Sequence, residues 1–224
     1  MVNILLEGYD IDAPWLFDQL KNYIHPHNKV AVIAFSFRDS RVKTPEDWDV
    51  LYAKPVGRFY NGIVHAFQAY GIAEEDISFL NYFTDSKERA IEKIRQADLL
   101  YFLGGLPDRM MERIEEFELQ NALMEHKGVV MGYSAGAVIQ LSEYHLSPDE
   151  DYPKFNYYRG LPYLNNFYLE VHYEGTEAQN SAIKKVLKER QKTVYATALM
   201  RGAVIVDNGT IKTVGDVEVF DKAP

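Results

Sequence analysis

Residues 129–139 read VVMGYSAGAVI, a short apolar strand followed by a tight turn and the apolar start of a helix. Ser134 lies at the tip of the turn, with Gly132 two positions before it and Gly136 two positions after it. This is the G-x-S-x-G pattern of a nucleophile elbow, a strained strand-to-helix turn that exposes a serine. Glycines relieve the crowding of such a turn because they lack a Cβ. The pattern predicts Ser134 as a nucleophile and the Ala135 amide as an oxyanion donor; the alternative is a turn without chemistry.

Short apolar runs alternate with helical patterns before and up to this turn. Near-continuous apolar runs are typical of strands that are buried on both faces of a parallel sheet. The runs are residues 4–6, 29–35, 77–80, 99–103 and 129–131. Strands that alternate with helices on short connections predict an α/β fold with a mostly parallel sheet flanked by helices. We expect one domain over residues 1–224, since no repeat, low-complexity stretch or linker divides the chain.

The chain changes character after the turn. Residues 147–160 are polar, acidic and rich in tyrosine, which predicts a long loop of the kind that often serves as a functional lid. Residues 167–173 predict a further strand. Asn208 and Gly209 stand between two β-type runs, which is a strong signal for a C-terminal β-hairpin.

The composition narrows the possible partners. The net charge is −9 and no basic cluster occurs, so we expect neither nucleic acid nor an anionic membrane as a partner. The absence of cysteine excludes disulfides, thiolate metal sites and a cysteine nucleophile. The first residues lack the pattern of a signal peptide or membrane span, and a cytoplasmic location is the default expectation. We predict neither a metal nor a cofactor.

A serine hydroxyl is a weak nucleophile until a base accepts its proton. The chain has six histidines. His172 follows a predicted strand that should flank the turn, and active sites of open α/β sheets lie at the carboxyl ends of strands. This placement favours His172 over His145, which follows the elbow helix. A histidine buried in the core for packing alone is the alternative interpretation of His172.

Three segments give the chain a resemblance to the peptidase E, or S51, family of serine peptidases. They are residues 102–105 (FLGG), 132–137 (GYSAGA) and 170–173 (EVHY), in the order and spacing of that family. The resemblance implies an α/β sandwich like that of the class I glutamine amidotransferases. It also implies Ser134 as nucleophile and His172 as general base, with the Gly105 and Ala135 amides as the oxyanion hole.

The resemblance offers two places for an acid that orients the base. One is a loop between nucleophile and base, which corresponds here to Asp151 and makes it the first choice. Asp149 and Glu170 are the fallbacks. For Asp151 and Asp149, the alternative is a solvated acidic loop without a catalytic role. The other place is a late Leu-Pro-acid-Gly segment, but the matching residues 199–202 read LMRG, with Arg201 where the acid would stand.

The expected substrate is a short peptide, hydrolysed in dipeptidase or exopeptidase fashion by a monomer or homodimer. Aspartyl dipeptidases of the family carry an arginine in a Gly-Glu-Thr-Arg segment after the base, whereas residues 175–179 here read GTEAQ. Leu106 also departs from the family pattern after the glycine pair. The sequence therefore argues against aspartate specificity, unless Arg201 supplies the missing cation.

Two other functions compete with the peptidase. An α/β-hydrolase esterase shares the elbow, but its histidine normally comes near the end of the chain. His172 is the last histidine here, and a β-rich tail follows it. The second competitor is a catalytically weakened or inactive domain that keeps the fold and binds peptides or small ligands, which the missing late acid would favour.

Overall fold

The computed structural model describes residues 1–221. The strands are β1 Val2–Leu6, β2 Val30–Ile33, β3 Ile77–Leu80, β4 Leu99–Phe102, β5 Val129–Tyr133, β6 Glu143–Leu146, β7 Asn156–Arg159, β8 Tyr168–Glu170, β9 Val194–Asp207 and β10 Thr210–Phe220. The helices are α1 Pro14–Leu20, α2 Pro45–Tyr52, α3 Tyr60–Gln68, α4 Lys87–Gln96, α5 Pro107–Glu116, α6 Gln120–Glu125, α7 Ala135–Val138 and α8 Glu177–Arg190, with a short 3-10 turn at Glu74–Asp76.

Eight of these strands form one mixed sheet in the order β10-β9-β1-β5-β4-β2-β3, with β8 paired to β9. The five strands from β1 to β3 in this order run parallel to one another. Strand β9 runs antiparallel to both β1 and β10. The expected α/β fold, a mostly parallel sheet with a C-terminal hairpin, is therefore confirmed.

Two hydrophobic cores lie on opposite faces of the sheet, because successive side chains of a strand point to opposite sides. Ile4 and Leu6 of β1 pack into one core, which also contains residues of α1, α2 and α3. Leu5 packs into the other core with residues of α4, α5, α6 and α7. Helices thus cover both faces, which explains why the strands read as unbroken apolar runs.

The segment expected to be a long loop is partly ordered into a second, two-stranded sheet. Strand β6 pairs antiparallel with β7, so that Glu143 lies opposite Arg159 and Leu146 opposite Asn156. The loop proper is therefore shorter than residues 147–160. Strand β7 lacks the continuous apolar run from which the main strands were predicted, because its two central residues are half-buried tyrosines.

The strand expected over residues 167–173 is also shorter, and its direction matters for the site. Strand β8 ends at Glu170 and pairs in parallel with the first residues of β9. Since β9 runs antiparallel to β1, β8 runs against the parallel strands. His172 follows β8 with a left-handed backbone (φ 55°). His172 therefore lies at the carboxyl edge of β1 and β5, although the strand that precedes it, β8, runs antiparallel to both.

Candidate active site

Ser134 directly follows β5 and has an unusual backbone, with φ 49° and ψ −114°. Such a conformation costs a non-glycine residue about 1–3 kcal/mol and persists only where its surroundings enforce it. The Ser134 amide donates to the carbonyl of Leu6 at 2.9 Å, which ties the turn to β1. A Cβ on Gly132 would lie 2.3 Å from the carbonyl oxygen of Gly136, and one on Gly136 would lie 2.1 Å from that of Phe102. The two glycines therefore permit the elbow.

Two amides at this edge of the sheet are available as hydrogen-bond donors. The Ala135 amide opens α7, and neither it nor the Gly105 amide donates to any acceptor within residues 1–221. Gly105 follows β4 with φ 141°, and a Cβ there would lie 2.4 Å from the carbonyl oxygen of Ser36. Strand β4 neighbours β5, so both amides lie at the edge that carries Ser134. Their predicted role as an oxyanion hole stays a prediction.

His172 lies in hydrogen-bond contact with the serine. Its Nε2 atom is 2.8 Å from the Oγ of Ser134, which lies 38 positions away in the sequence. This distance is within the range in which a base can accept the serine proton. The structure therefore brings together the two residues that the sequence predicts as nucleophile and base.

The carboxylate beside His172 is that of Glu7, the residue that follows β1. His172 Nδ1 is 2.6 Å from Glu7 Oε1, and the backbone amide of His172 lies 3.0 and 2.9 Å from the two carboxylate oxygens. The Thr197 hydroxyl also donates to Glu7, at 2.5 Å. Because a carboxylate accepts only, Nδ1 carries the proton and Nε2 is left as the acceptor for Ser134. The side chains form a chain from Ser134 through His172 to Glu7.

Glu7 governs the charge of the imidazole. The carboxylate is buried, with Glu7 only 2% exposed, and its hydrogen bond to His172 is the main reason why the pKa of that histidine is raised above its ordinary value. A negative charge beside the ring favours the imidazolium, whereas burial opposes it. This is the arrangement that stabilises a protonated base during catalysis.

The structure places Asp151 away from His172 and so corrects the acid expected there. Its carboxylate makes a bidentate contact with the Arg38 guanidinium. That contact holds the pKa of Asp151 below its usual range. The carboxylate that contacts His172 Nδ1 is that of Glu7, so Glu7 occupies the position expected for Asp151.

The two fallback acids are also committed elsewhere. Asp149 Oδ1 accepts the backbone amides of Asp151 and Tyr152 at 2.8 and 2.7 Å, so that it shapes its own loop. Glu170 is buried and lies 2.6 Å from His145 Nε2. The expectation that Glu170 and His172 share a strand face fails, because β8 ends at Glu170 before the left-handed residue His172.

Sequence reasoning missed Glu7, although one signal was present. The chain reads NILLEG at residues 3–8, a glutamate directly after an apolar strand and before a glycine. A carboxylate at the carboxyl end of a strand neighbouring the elbow strand is a candidate for the site. The strand order that makes β1 the neighbour of β5 is what identifies it.

A cleft of about 290 Å³ opens beside His172. Its ionisable lining consists of carboxylates and histidines; the acids are Asp149, Glu170 and Glu174. Gln179 and Thr176, from the segment after the base, also line it. Neither lysine nor arginine contributes to this lining, so the cleft offers neither an ammonium nor a guanidinium group to a carboxylate side chain.

Neither a metal centre nor a membrane span is evident in the part of the chain that the structure describes. Within residues 1–221 no group of three or more His, Asp and Glu side chains is arranged to hold a metal ion. Among the same residues, no helix combines the length and apolar character that crossing a bilayer requires.

Comparison with known proteins gives a consistent result. The family model of Peptidase family S51 matches residues 53–214. A solved structure from Listeria monocytogenes EGD-e, named for peptidase E, is similar with a TM-score of 0.66 and 17% identity, over 96% of this chain and 98% of that one. A peptidase from an acI-B1 Actinobacterium has a TM-score of 0.66 and 20% identity, over 100% and 91% of the two chains. No curated protein matches the sequence.

Proposed function

Since this chain belongs to peptidase family S51, we propose that it is a serine peptidase that cleaves short peptides through an acyl-enzyme on Ser134. The hydrogen-bonded chain Ser134–His172–Glu7 is the observation that carries this proposal. It joins a nucleophile, a base and an orienting acid in the order that acyl transfer requires. The cytoplasmic location and the monomeric or dimeric state stay predictions.

In the proposed mechanism, His172 Nε2 accepts the Ser134 proton while Oγ attacks the carbonyl carbon of the peptide bond. The negative charge that develops on the carbonyl oxygen is stabilised by the Gly105 and Ala135 amides. Glu7 stabilises the imidazolium, which then donates its proton to the leaving amine as the C–N bond breaks. A water molecule then attacks the ester while His172 accepts its proton. The bond between the acyl carbon and Ser134 Oγ breaks, and His172 donates the proton to Oγ.

We further propose that aspartate is not the favoured side chain. The cleft beside His172 carries Asp149, Glu170 and Glu174 and no lysine or arginine, so a carboxylate there would meet like charges. Arg201 does not line that cleft and has a 63% exposed side chain, with its Nε 3.9 Å from Asp216. The geometry therefore gives little support to Arg201 as a substitute for the missing cation.

A catalytically inactive binding domain is less well supported than the enzyme. That alternative depended on Arg201 standing where a late acid would be expected. Glu7 occupies the position beside His172 Nδ1 and supplies the acid from the other end of the chain. The loss of the late acid is thus no longer an argument for lost catalysis.

The test combines a dipeptide library with a fluorophosphonate probe. We expect wild-type protein to hydrolyse dipeptides and to be labelled at Ser134. Ser134→Ala and His172→Ala should each lose both activities, whereas Ser181→Ala, at an exposed serine of α8, should keep them. Absence of labelling and of hydrolysis in folded wild-type protein would contradict the peptidase and favour a binding domain.

A further inference from the structure

A second cleft, of about 520 Å³, lies on the opposite side of the sheet from the cleft beside His172. Its walls include residues of the first core, whereas the cleft beside His172 is walled by residues of the second. We call it the tyrosine cleft, and the residues that matter here are Tyr9, Asp10, Asp12, Phe59, Tyr101 and Tyr133. The proposed mechanism uses none of them.

The tyrosine cleft adjoins the candidate active site through its covalent neighbours. Tyr133 immediately precedes Ser134, and Tyr9 comes two positions after Glu7. The backbone at Gly104, next to the predicted oxyanion residue, packs so closely on the Tyr133 ring that a Cβ there would lie 2.4 Å from it. The tyrosine cleft is therefore lined by residues next in sequence to those of the candidate active site.

The Tyr101 side chain is almost wholly buried, and its hydroxyl is open to the cleft. Tyr101 is only 1% exposed, and its hydroxyl forms no hydrogen bond with any residue of the described range 1–221. It differs from Tyr144, whose hydroxyl is sealed in the core without a partner, because Tyr101 lines the cleft. A hydroxyl at a cavity wall that has no partner in the described protein is available for a hydrogen bond to a polar ligand group.

Two free carboxylates give the cleft its charge. Neither Asp10 nor Asp12 forms a side-chain hydrogen bond or ion pair with another residue of the described chain. Burial is the main reason why the pKa of Tyr101 lies well above its ordinary value, and Tyr133 and the two carboxylates add to that effect. Arg58, the one arginine of the lining among residues 1–221, stacks over Phe59 at 5.4 Å instead of pairing with either acid.

The aromatic rings complete the lining. Tyr9 and Tyr133 meet edge to face, with ring centroids 5.9 Å apart, and Tyr9 is largely exposed. Aromatic faces attract cations, and the attraction strengthens when the cation is partly desolvated. Carboxylates beside aromatic faces and a free hydroxyl are therefore matched to a group that is positively charged and donates hydrogen bonds.

We propose that the tyrosine cleft binds a cationic group of the substrate, an ammonium or guanidinium. The inference rests on the proposed function in treating the cleft as part of the peptide-binding site. Asp10 and Asp12 supply the opposite charge, Tyr9 and Tyr133 the aromatic faces, and the Tyr101 hydroxyl an acceptor. The cation is either a lysine or arginine side chain or the free amino terminus of the peptide.

The test measures binding to Ser134→Ala protein by calorimetry or NMR titration, so that it does not depend on catalysis. N-acetyl-lysinamide carries only the side-chain cation, norleucinamide only the terminal ammonium, and N-acetyl-norleucinamide neither. We expect at least one cationic probe to bind about tenfold more tightly than the neutral one, from the strength of desolvated cation–π and charge interactions. Whichever probe it is identifies the source of the cation.

Variants in the same background localise the effect. Asp10→Asn combined with Asp12→Asn should abolish the preference, and Tyr101→Phe, which keeps the ring, should reduce it. Asp18→Asn, at an exposed acid of α1 paired with Lys21, should leave it unchanged. Equal binding of the three probes, or a preference that survives the double substitution, would overturn the inference.

The two proposals fail separately. A cation preference in Ser134→Ala protein supports the cleft even if wild-type protein hydrolyses no peptide, which would refute only the peptidase. Conversely, peptide hydrolysis combined with equal binding of the three probes would refute the cleft and leave the peptidase standing.

Discussion

Glu7 and His172 lie 165 positions apart in the sequence and meet through a 2.6 Å contact between Oε1 and Nδ1. The same carboxylate accepts the backbone amide of His172 and the hydroxyl of Thr197. The ring is thereby fixed through its side chain and its backbone at once. Orientation of this kind selects the tautomer with a bare Nε2 atom, which is the form that can accept the proton of Ser134.

We expect Glu7→Gln to lower kcat by roughly 10²–10⁴-fold, the range expected when the orienting acid of a serine triad is lost. An amide in place of the carboxylate neither stabilises the imidazolium nor selects the reactive tautomer. Steady-state kinetics on the best dipeptide found in the library screen would measure the loss.

Asp151→Asn is the matched control, because Asp151 is paired with Arg38 and does not reach His172. It should leave kcat within about a factor of two, as expected for a substitution at a partly exposed ion pair. A larger loss of kcat from Asp151→Asn than from Glu7→Gln would mean that Asp151, and not Glu7, is the orienting acid.

The activity should rise with pH along a limb set by His172. The hydrogen bond to Glu7 raises the pKa of this histidine above its ordinary value, and only the neutral ring can act as a base. The limb should therefore lie above the ordinary histidine pKa. In Glu7→Gln it should move to lower pH, because the charge that favours the imidazolium is gone. A pH profile of kcat/KM checks this, and an unmoved limb would assign it to another group.

The Glu7–His172 pair also stabilises the fold, and this contribution decreases as pH rises, whereas the activity increases. A histidine whose pKa is raised on folding stabilises the fold fully below the unfolded pKa. The contribution is lost as pH rises through the folded pKa. The pH at which the base becomes active is therefore the pH at which its ion pair with Glu7 weakens.

The sequence was sufficient for the elements whose cause is local. Gly132 and Gly136 are needed because a Cβ at either would overlap backbone, and that demand is written in the G-x-S-x-G spacing itself. Asn208 and Gly209 both have positive φ angles, of 47° and 86°, at the tip of the β9–β10 hairpin. The apolar runs predict the parallel strands because helices cover both faces of the sheet.

The orienting acid could not be predicted from the sequence, because the strand order decides which carboxylate lies beside His172. Nothing local to Glu7 indicates that β1 lies between β5 and β9, or that β8 approaches this edge in the opposite direction. Asp151 had the composition and position expected of a site acid but lies where Arg38 reaches it. The residue type was predictable, whereas the strand order that places Glu7 beside His172 was not encoded in any one segment.

Gly136→Ala should destabilise the protein by about 1–3 kcal/mol, the usual cost of overpacking. The added methyl would lie 2.1 Å from the backbone oxygen of Phe102, which cannot rotate away. Gly62→Ala is the control, since no atom lies within 4 Å of a Cβ there and the residue is inside α3. It should be neutral or slightly stabilising, because alanine favours helix. Thermal unfolding measures both, and equal Tm values would show that the elbow tolerates a methyl group.

Glu170→Ala should lower the free energy of unfolding without displacing His172. Glu170 is 4% exposed, lies 2.6 Å from His145 Nε2 and accepts the Ser147 hydroxyl at 2.8 Å, so its removal leaves the buried His145 and the half-buried Ser147 without this partner. Leaving a buried hydrogen-bonding group without its partner costs about 1–3 kcal/mol. Glu174→Ala, at an exposed acid of the same cleft, should change the free energy of unfolding by less than about 0.5 kcal/mol.

The catalytic readout separates this structural role of Glu170 from an orienting one. In Glu170→Ala protein that remains folded, the pH limb of kcat/KM should shift far less than in Glu7→Gln, because Glu7 and not Glu170 contacts His172 Nδ1. Glu170 acts on the His172 ring only through its more distant charge, which raises the pKa of His172 less than Glu7 does. An equal shift in the two variants would mean that Glu170 shares the orienting role, and the chain Ser134–His172–Glu7 would then be incomplete.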